Sequence, residues 1–281
     1  QTVQTTDAMP LNVSLFDGYS GEALNWQQLI DAIKWSQITI LGEKHHNLPG
    51  DQFTQALLTD ALGQKFISAV SLEMLYRDES QTVSEFNAGQ IDINAFLDQT
   101  QRQGKKWEQS YAPMMRLAKN HQAPVIASNA PRSYVKMARQ QGYDALRELP
   151  DVQQKLFELP LKLYDKSSNY QRFSAAIGGH PGMKLTPASI KAMYRSQRIW
   201  DATMADSMLK ALAQHGSSVF HFIGQFHSDY DGGVVLSLLD RQPDVRLLTL
   251  SLQPGESSQL KPQDFQRADI VVYVGHAQPS E

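Results

Sequence analysis

Two histidines in this chain occupy the same short pattern at positions far apart in the sequence. The pattern Gly-x-x-His spans residues 42–45 and recurs at residues 224–227. Each copy follows a short apolar run that is typical of a β-strand. A glycine allows the backbone to turn sharply at a strand's end, and ligands bind at the carboxyl edge of open α/β sheets. We therefore predict that His45 and His227 face a single crevice.

An acidic residue joins this pair, because Glu73 lies in another strand-like run at residues 69–74. Histidine and carboxylate ligands suit a divalent metal that activates a bound water, with His45, Glu73 and His227 as the ligands. The same residues suit metal-free acid–base chemistry, in which a buried Glu and a His exchange a proton. Taken singly, each of these residues could equally well cap a helix or pair with an arginine.

A second group of candidate residues surrounds a loop rich in glycine and proline at residues 178–182. The loop contains His180, Lys184 follows it, and three tyrosines flank it: Tyr164, Tyr170 and Tyr194. Tyrosinate and histidine are ligands of haem iron, and a lysine can pair with a propionate as a point charge. Four nearby side chains are suited to apolar walls: Phe173, Ile177, Met193 and Trp200. By residue type alone, an exposed loop between helices with packing tyrosines explains this group better.

The elements that position these residues alternate between strands and helices, which predicts an α/β fold with a mostly parallel sheet flanked by helices. Only helical patterns occur in residues 133–215, so we predict a helical subdomain inserted between two strands. The α/β core then comprises residues 11–132 and 216–281. Residues 1–10 are polar and are expected to form a tether.

Composition excludes several classes of function. The net charge of −3 over 281 residues gives no reason to expect nucleic-acid binding. The chain has no cysteine, which excludes disulfides, iron–sulfur ligation and covalent attachment of haem through thiols. Any haem is therefore expected to be held non-covalently. No apolar run approaches the ~18 residues of a membrane helix.

The first residue, Gln1, suggests that a signal peptide or a lipidation site has been removed. We expect a lipid anchor ahead of the polar tether, which would attach the domain to a membrane without spanning it. An arbitrary starting point of the sequence explains the same observation equally well.

Six sequence blocks in a fixed order resemble the ChaN-like haem-binding lipoprotein family, which belongs to a superfamily with the TIKI and TraB proteins. The blocks are ILGEKHHNLPGDQ, SLEM, PVIASNAPR, GGHPGM, SQRIWDATMA and HFIGQFHSDYDGG. They extend from about residue 40 to residue 233 and so cover most of the chain.

The resemblance implies an outer-membrane lipoprotein of a Gram-negative bacterium that works in haem or iron uptake. It further implies a homodimer in which two haems stack between the monomers. Each iron takes a tyrosine from one monomer, while a histidine and a lysine of the other bind propionates. Tyr170 and Tyr194 are the candidate iron ligands, with Tyr164 third, and His180 and Lys184 are the candidate propionate partners.

The TIKI-type relatives imply an alternative function, since they are metal-dependent proteases built on two Gly-x-x-His motifs and a glutamate. His45, Glu73 and His227 match that pattern. The alternative is thus a metal-dependent hydrolase, a peptidase or an esterase, that uses the crevice at the strand ends. The two hypotheses place the function in different parts of the chain.

Overall fold

The strands form one large sheet and one short two-stranded ladder. The computed structural model describes residues 2–3, 11–45, 47–178, 185–216 and 218–275. Within these residues the strands are β1 (Thr2–Val3), β2 (Leu11–Asn12), β3 (Ser14–Asp17), β4 (Ala23–Leu24), β5 (Ile38–Glu43), β6 (Ile67–Tyr76), β7 (Val125–Asn129), β8 (Ser218–Gly224), β9 (Leu247–Gln253) and β10 (Ile270–Tyr273). The large sheet has the order β4-β3-β10-β9-β5-β8-β6-β7, and β1 pairs with β2.

Neighbouring strands from β10 to β7 all run parallel. A short antiparallel hairpin, β3 with β4, extends the β10 edge of this sheet. Every residue of β5 and β8 is buried, as expected for parallel strands that helices cover on both faces. The predicted mostly parallel α/β sheet is confirmed, and the carboxyl ends of β5, β8 and β6 meet at one edge.

Helices cover both faces of the sheet. They are α1 (Trp26–Trp35), α2 (Leu48–Gly63), α3 (Ser80–Asn87), α4 (Ile93–Gln99), α5 (Ala112–Asn120), α6 (Arg132–Gln141), α7 (Tyr143–Arg147), α8 (Asp151–Gln154), α9 (Ser168–Gly178), α10 (Pro187–His215) and α11 (Gly233–Arg241). One π-helical turn, Trp107–Tyr111, leads into α5, and short 3₁₀ turns cover Arg77–Glu79, Gln225–His227 and Pro262–Asp264. Within the described chain, none of the helices combines the length and apolar character that crossing a bilayer requires.

Two apolar cores lie on opposite faces of the sheet. Leu29 of α1, Phe53 of α2 and Met114 of α5 pack against one face. Met204 and Met208 of α10, with Leu238 of α11, pack against the other. The carboxyl ends of the central strands, with the Gly-x-x-His motifs, lie between these two layers.

The helical stretch is linked to the sheet through α10. Thr186 caps the start of this helix through its side chain, Pro187 occupies the first turn, and Gly216 ends it with a left-handed φ of 79°. The first half of α10 packs with α6 around Val135 and Ile199, whereas its second half covers the sheet. Because one helix serves both layers, treating residues 133–215 as a separate subdomain remains a prediction.

One helix is shorter than its pattern predicts. The sequence predicts a helix over residues 151–159, but α8 ends at Gln154. Beyond it the Glu158 N–H donates to Thr203 Oγ1 at 2.9 Å, and Phe157 is buried with the α6 and α10 side chains. These tertiary contacts with α10 outweigh the local preference for a continuing helix.

Candidate functional site

Glu73 and Gly224 connect the two Gly-x-x-His motifs at the carboxyl edge of the sheet. The Gly224 N–H donates to Glu73 Oε2 at 2.6 Å. A Cβ placed on Gly224 would lie 3.2 Å from His45 Nε2 and 3.4 Å from Glu73 Oε2. A larger residue here would therefore crowd the carboxylate and the imidazole, which would have to shift by a few tenths of an ångström. The structure brings His45, Glu73 and His227 together at this edge, and we call their location the strand-end crevice.

His227 is held between two carboxylates. Its Nδ1 lies 2.6 Å from Asp201 Oδ1, and its Nε2 lies 3.5 Å from Glu73 Oε1. Burial acts to lower the pKa of His227, but Asp201 and Glu73 outweigh burial, so this pKa lies above its ordinary value. The arrangement can orient the imidazole through Nδ1 and present Nε2 to an acidic partner.

Asp201 is itself fixed by a buried arginine. Arg198 is fully buried, and its Nη1 lies 3.2 Å from Asp201 Oδ2. The same guanidinium donates to Ser237 Oγ at 2.9 Å and to the Gly233 carbonyl. A Cβ on Gly233 would lie only 1.9 Å from Asp201 Oδ2, so the glycine at the start of α11 is required for this contact.

A second polar cluster surrounds Glu43 at the end of β5. Glu43 Oε2 accepts from Lys106 Nζ at 2.6 Å, and Glu43 Oε1 accepts from Tyr111 at 3.1 Å. His45 Nδ1 lies 2.9 Å from Glu43 Oε1. Burial acts to raise the pKa of Glu43, but His45 and Lys106 outweigh it and bring this pKa below its ordinary value. The hydrogen bond to Glu43 raises the pKa of His45.

The predicted metal ligands approach one another but are occupied by protein partners. Among the described residues, no group of three or more His, Asp and Glu side chains has a geometry that could hold a metal ion. His227 faces Asp201, and His45 faces Glu43. The crevice therefore has the character of a hydrogen-bonded acid–base network, and metal ligation by His45, Glu73 and His227 stays a prediction.

A cleft of about 310 Å³ opens between α6, α9 and α10, next to the crevice. Five apolar side chains line it: Val135, Phe173, Ile177, Met193 and Trp200. Four of them are the residues that the sequence suggested as apolar walls. Three cations line it as well, Arg132, Lys136 and Arg139, together with Ser196 and Gln197. We call this feature the helical cleft.

The cleft and the crevice adjoin each other through two side chains of α10. Gln197 lines the cleft, and its amide nitrogen lies 3.0 Å from His227 Nε2. Trp200 also lines the cleft, with its ring centroid 6.4 Å from that of His227. The two hypotheses still concern different groups of residues, and α10 borders both of them.

The three candidate tyrosines differ in their surroundings, and none of them is part of the described lining of the cleft. Tyr194 is buried, its hydroxyl donates to Asn169 Oδ1 at 2.7 Å, and burial raises its pKa to about 12. The Tyr164 hydroxyl donates to Asp240 Oδ1 at 2.6 Å, and burial followed by this carboxylate raises its pKa. Both environments oppose formation of a tyrosinate.

Tyr170 differs from the other two tyrosines in the partners of its hydroxyl. Its side chain is half-buried, and within the part of the chain that the structure describes no hydrogen bond engages its hydroxyl. Its ring lies edge-on to Tyr194 with centroids 5.0 Å apart. Phe173, one turn later on the same face of α9, lines the cleft. His180 and Lys184, the candidate propionate partners, lie outside the described residues, so their roles stay predictions.

Sequence reasoning missed Gln197, Asp201 and Lys106. The first two lie four residues apart on α10 and so share one helix face. A polar pair on the buried face of a long helix was the available signal. Lys106 precedes the π-helical turn that leads into α5. Its approach to Glu43 depends on tertiary packing, and no local pattern announces it.

Comparisons with known proteins identify the fold and the family. A solved structure described as "Cofacial heme binding to ChaN of Campylobacter jejuni" matches with a TM-score of 0.70 and 17% identity, covering 96% of this chain and 98% of that one. The type III effector HopBA1 matches with a TM-score of 0.48 and 14% identity over 89% of this chain and 92% of the other. A search of curated proteins gives no match.

The sequence itself gives the family. A profile described as "Haem-binding uptake, Tiki superfamily, ChaN" matches residues 29–238. That span includes the strand-end crevice and all the helices that form the helical cleft. This chain therefore belongs to the ChaN family of haem-binding uptake proteins in the Tiki superfamily.

Proposed function

We propose that this protein binds haem non-covalently in the helical cleft and serves bacterial haem or iron uptake. The observation that carries the proposal is the composition of the cleft, which is lined by five apolar side chains and three cations. A porphyrin is a flat apolar ring with two carboxylates at one edge, and these residues fit that chemistry. Bound haem would supply a ferric iron to be carried.

Tyr170 is the proposed iron ligand. Its hydroxyl is free of hydrogen bonds to described residues, whereas Tyr194 and Tyr164 each donate to a side-chain oxygen. A phenol has to lose its proton to ligate ferric iron, and a neighbouring carboxylate or deep burial opposes that loss. Tyr194 is buried and Tyr164 donates to a carboxylate, which disfavours both as iron ligands.

A second copy of the chain is the proposed cover for the exposed part of the porphyrin. The cleft volume of about 310 Å³ lies at the small end of ligand sites, which span roughly 300–1,000 Å³. Beside it Phe226 is 45% exposed, and its ring lies 5.8 Å from that of Phe173. A partner protomer would remove this apolar surface from water. A lipid anchor to the outer membrane of a Gram-negative bacterium is proposed for the same protein.

A haem titration followed by absorbance and by the mass of the eluting species tests the proposal. We expect saturation near one haem per chain, together with a shift from monomer to dimer. Saturable binding by a species that stays monomeric would contradict the dimer. The absence of saturable binding would contradict haem as the ligand.

A second function is proposed for the strand-end crevice on a separate observation. The contact of Asp201 with His227 Nδ1, and the approach of Glu73 to Nε2, are an arrangement suited to general acid–base hydrolysis of a peptide or ester. Turnover of such a substrate that is lost in Glu73→Gln supports this function. Turnover that survives in Glu73→Gln contradicts it.

A further inference from the structure

Helix α6 presents a row of cations to the helical cleft. Arg132, Lys136 and Arg139 are spaced by four and then three residues, so they lie on one face of the helix. All three side chains are exposed and line the cleft. Val135 lies between them, is buried and supplies apolar wall to the same cleft.

These cations lack the carboxylate partners found elsewhere in the molecule. Arg77, Arg102 and Lys106 each pair with an Asp or a Glu. In the described residues no ion pair involves Lys136 or Arg139, and Arg132 donates through Nε to the Tyr76 hydroxyl at 2.9 Å. The row therefore presents positive charge that no described carboxylate of this chain neutralises by contact.

Helix stability does not explain the row. A cation in the last turn, such as Arg139, interacts favourably with the helix dipole. Arg132 is the first residue of α6, where a positive charge opposes that dipole. Arg195 adds a further cation, because its guanidinium donates to the carbonyls of Ala138 and Arg139. Positive charge is therefore present along α6 from its first residue to its last turn.

We propose that Lys136 and Arg139 bind the two propionates of the haem from the same chain that contributes Tyr170. This inference rests on the proposed function and adds a carboxylate subsite to it. Arg139 can form a bidentate pair with a carboxylate, and Lys136 acts as a point charge. Arg132, held by Tyr76, contributes attraction at longer range. The subsite is independent of His180 and Lys184, so each protomer can hold the acidic edge of its own haem.

Ferric haem and its dimethyl ester distinguish this subsite from the apolar cleft, because the ester lacks the two negative charges. The test compares wild type, the double variant Lys136→Gln/Arg139→Gln and the control double variant Lys105→Gln/Arg116→Gln. The control removes an exposed lysine and an exposed arginine that do not line the cleft. Circular dichroism and thermal melts establish that each variant is folded.

We expect the cleft variant to bind haem about tenfold more weakly than wild type. This is the loss expected when two partly exposed, charge-assisted hydrogen bonds are removed. Its affinity for the ester should match that of wild type, and the control should retain both affinities. The subsite alone would be overturned if haem affinity fell equally in the two double variants. It would also be overturned if the cleft variant kept the full preference of wild type for haem over the ester. A wild type that binds neither porphyrin would overturn the proposed function and the subsite with it.

Discussion

The strand-end crevice and the helical cleft lie side by side but differ in how their charges are satisfied. In the crevice, Glu43 pairs with Lys106, and Asp201 pairs with both Arg198 and His227. In the cleft, neither Lys136 nor Arg139 pairs with a described carboxylate. A closed network of this kind is preorganised and resists change, whereas an apolar cleft with unpaired cations is suited to an acidic apolar ligand.

The boundary between the two sites is the face of α10 that carries Gln197 and Trp200. Both residues line the cleft. The Gln197 amide contacts His227, and the Trp200 ring lies edge-on to the His227 ring. A ligand in the cleft would therefore lie against side chains whose other surface touches the acid–base network. The difference between the sites can be tested by removing parts of one and following the other.

The largest expected effect is the loss of stability in Asp201→Ala. The change leaves the buried side chains of Arg198 and His227 without their shared carboxylate. Removing one partner of a buried ion pair lowers the free energy of unfolding by roughly 3–5 kcal/mol. Urea unfolding measures this change in the free energy of unfolding. The control Asp144→Ala removes an exposed pair with Arg147 and should leave the unfolding free energy nearly unchanged. An Asp201→Ala protein as stable as this control would show that the network is not preorganised.

A smaller effect is expected from pH, through His227. Because its pKa is raised in the folded protein, its charged form stabilises the fold fully below its unfolded pKa of about 6.5. That stabilisation is lost as pH rises through the folded pKa. The stability advantage of wild type over His227→Gln should therefore be larger at pH ~6 than at pH ~9. An advantage that grows with pH would contradict the pairing with Asp201 and Glu73.

The smallest expected effect is that of Glu73→Gln on haem affinity. Glu73 does not line the cleft, and a Gln side-chain oxygen can still accept from the Gly224 N–H. Haem affinity should change by no more than about 0.5 kcal/mol. Trp200→Ala, which removes a cleft wall, serves as the positive control in the same titration and should weaken binding clearly. A Glu73→Gln protein that loses haem would place the haem in the crevice.

Much of the fold was predictable because the central strands are short buried apolar runs between helical patterns. The β5 and β8 runs each end in a glycine-containing motif, which located His45 and His227. The β3–β4 hairpin was not predicted, since strands of four and two residues leave almost no periodic signal. The sheet order also lies beyond local patterns, because neighbouring strands such as β5 and β8 are far apart in the chain.

The candidate site was predictable only where its residues follow strands. Glu73 lies near the carboxyl end of β6 and His227 lies in the turn that follows β8, and topology brings such positions together. Asp201 and Gln197 come from a helix that packs across the sheet, and their contacts with His227 depend on where α10 crosses it. Whether Lys136 and Arg139 meet a carboxylate likewise depends on which residues the folded chain places beside them.

Absorption spectra of the ferric haem complexes of Tyr170→Phe and Tyr194→Phe test most directly whether haem is bound in the helical cleft through a tyrosinate. The two tyrosines are in contact, so each variant controls for removal of one hydroxyl from the same pair of helices. We expect Tyr170→Phe to lose the tyrosinate charge-transfer band and Tyr194→Phe to retain it. A band that persists in Tyr170→Phe, or that disappears only in Tyr194→Phe, would contradict the account.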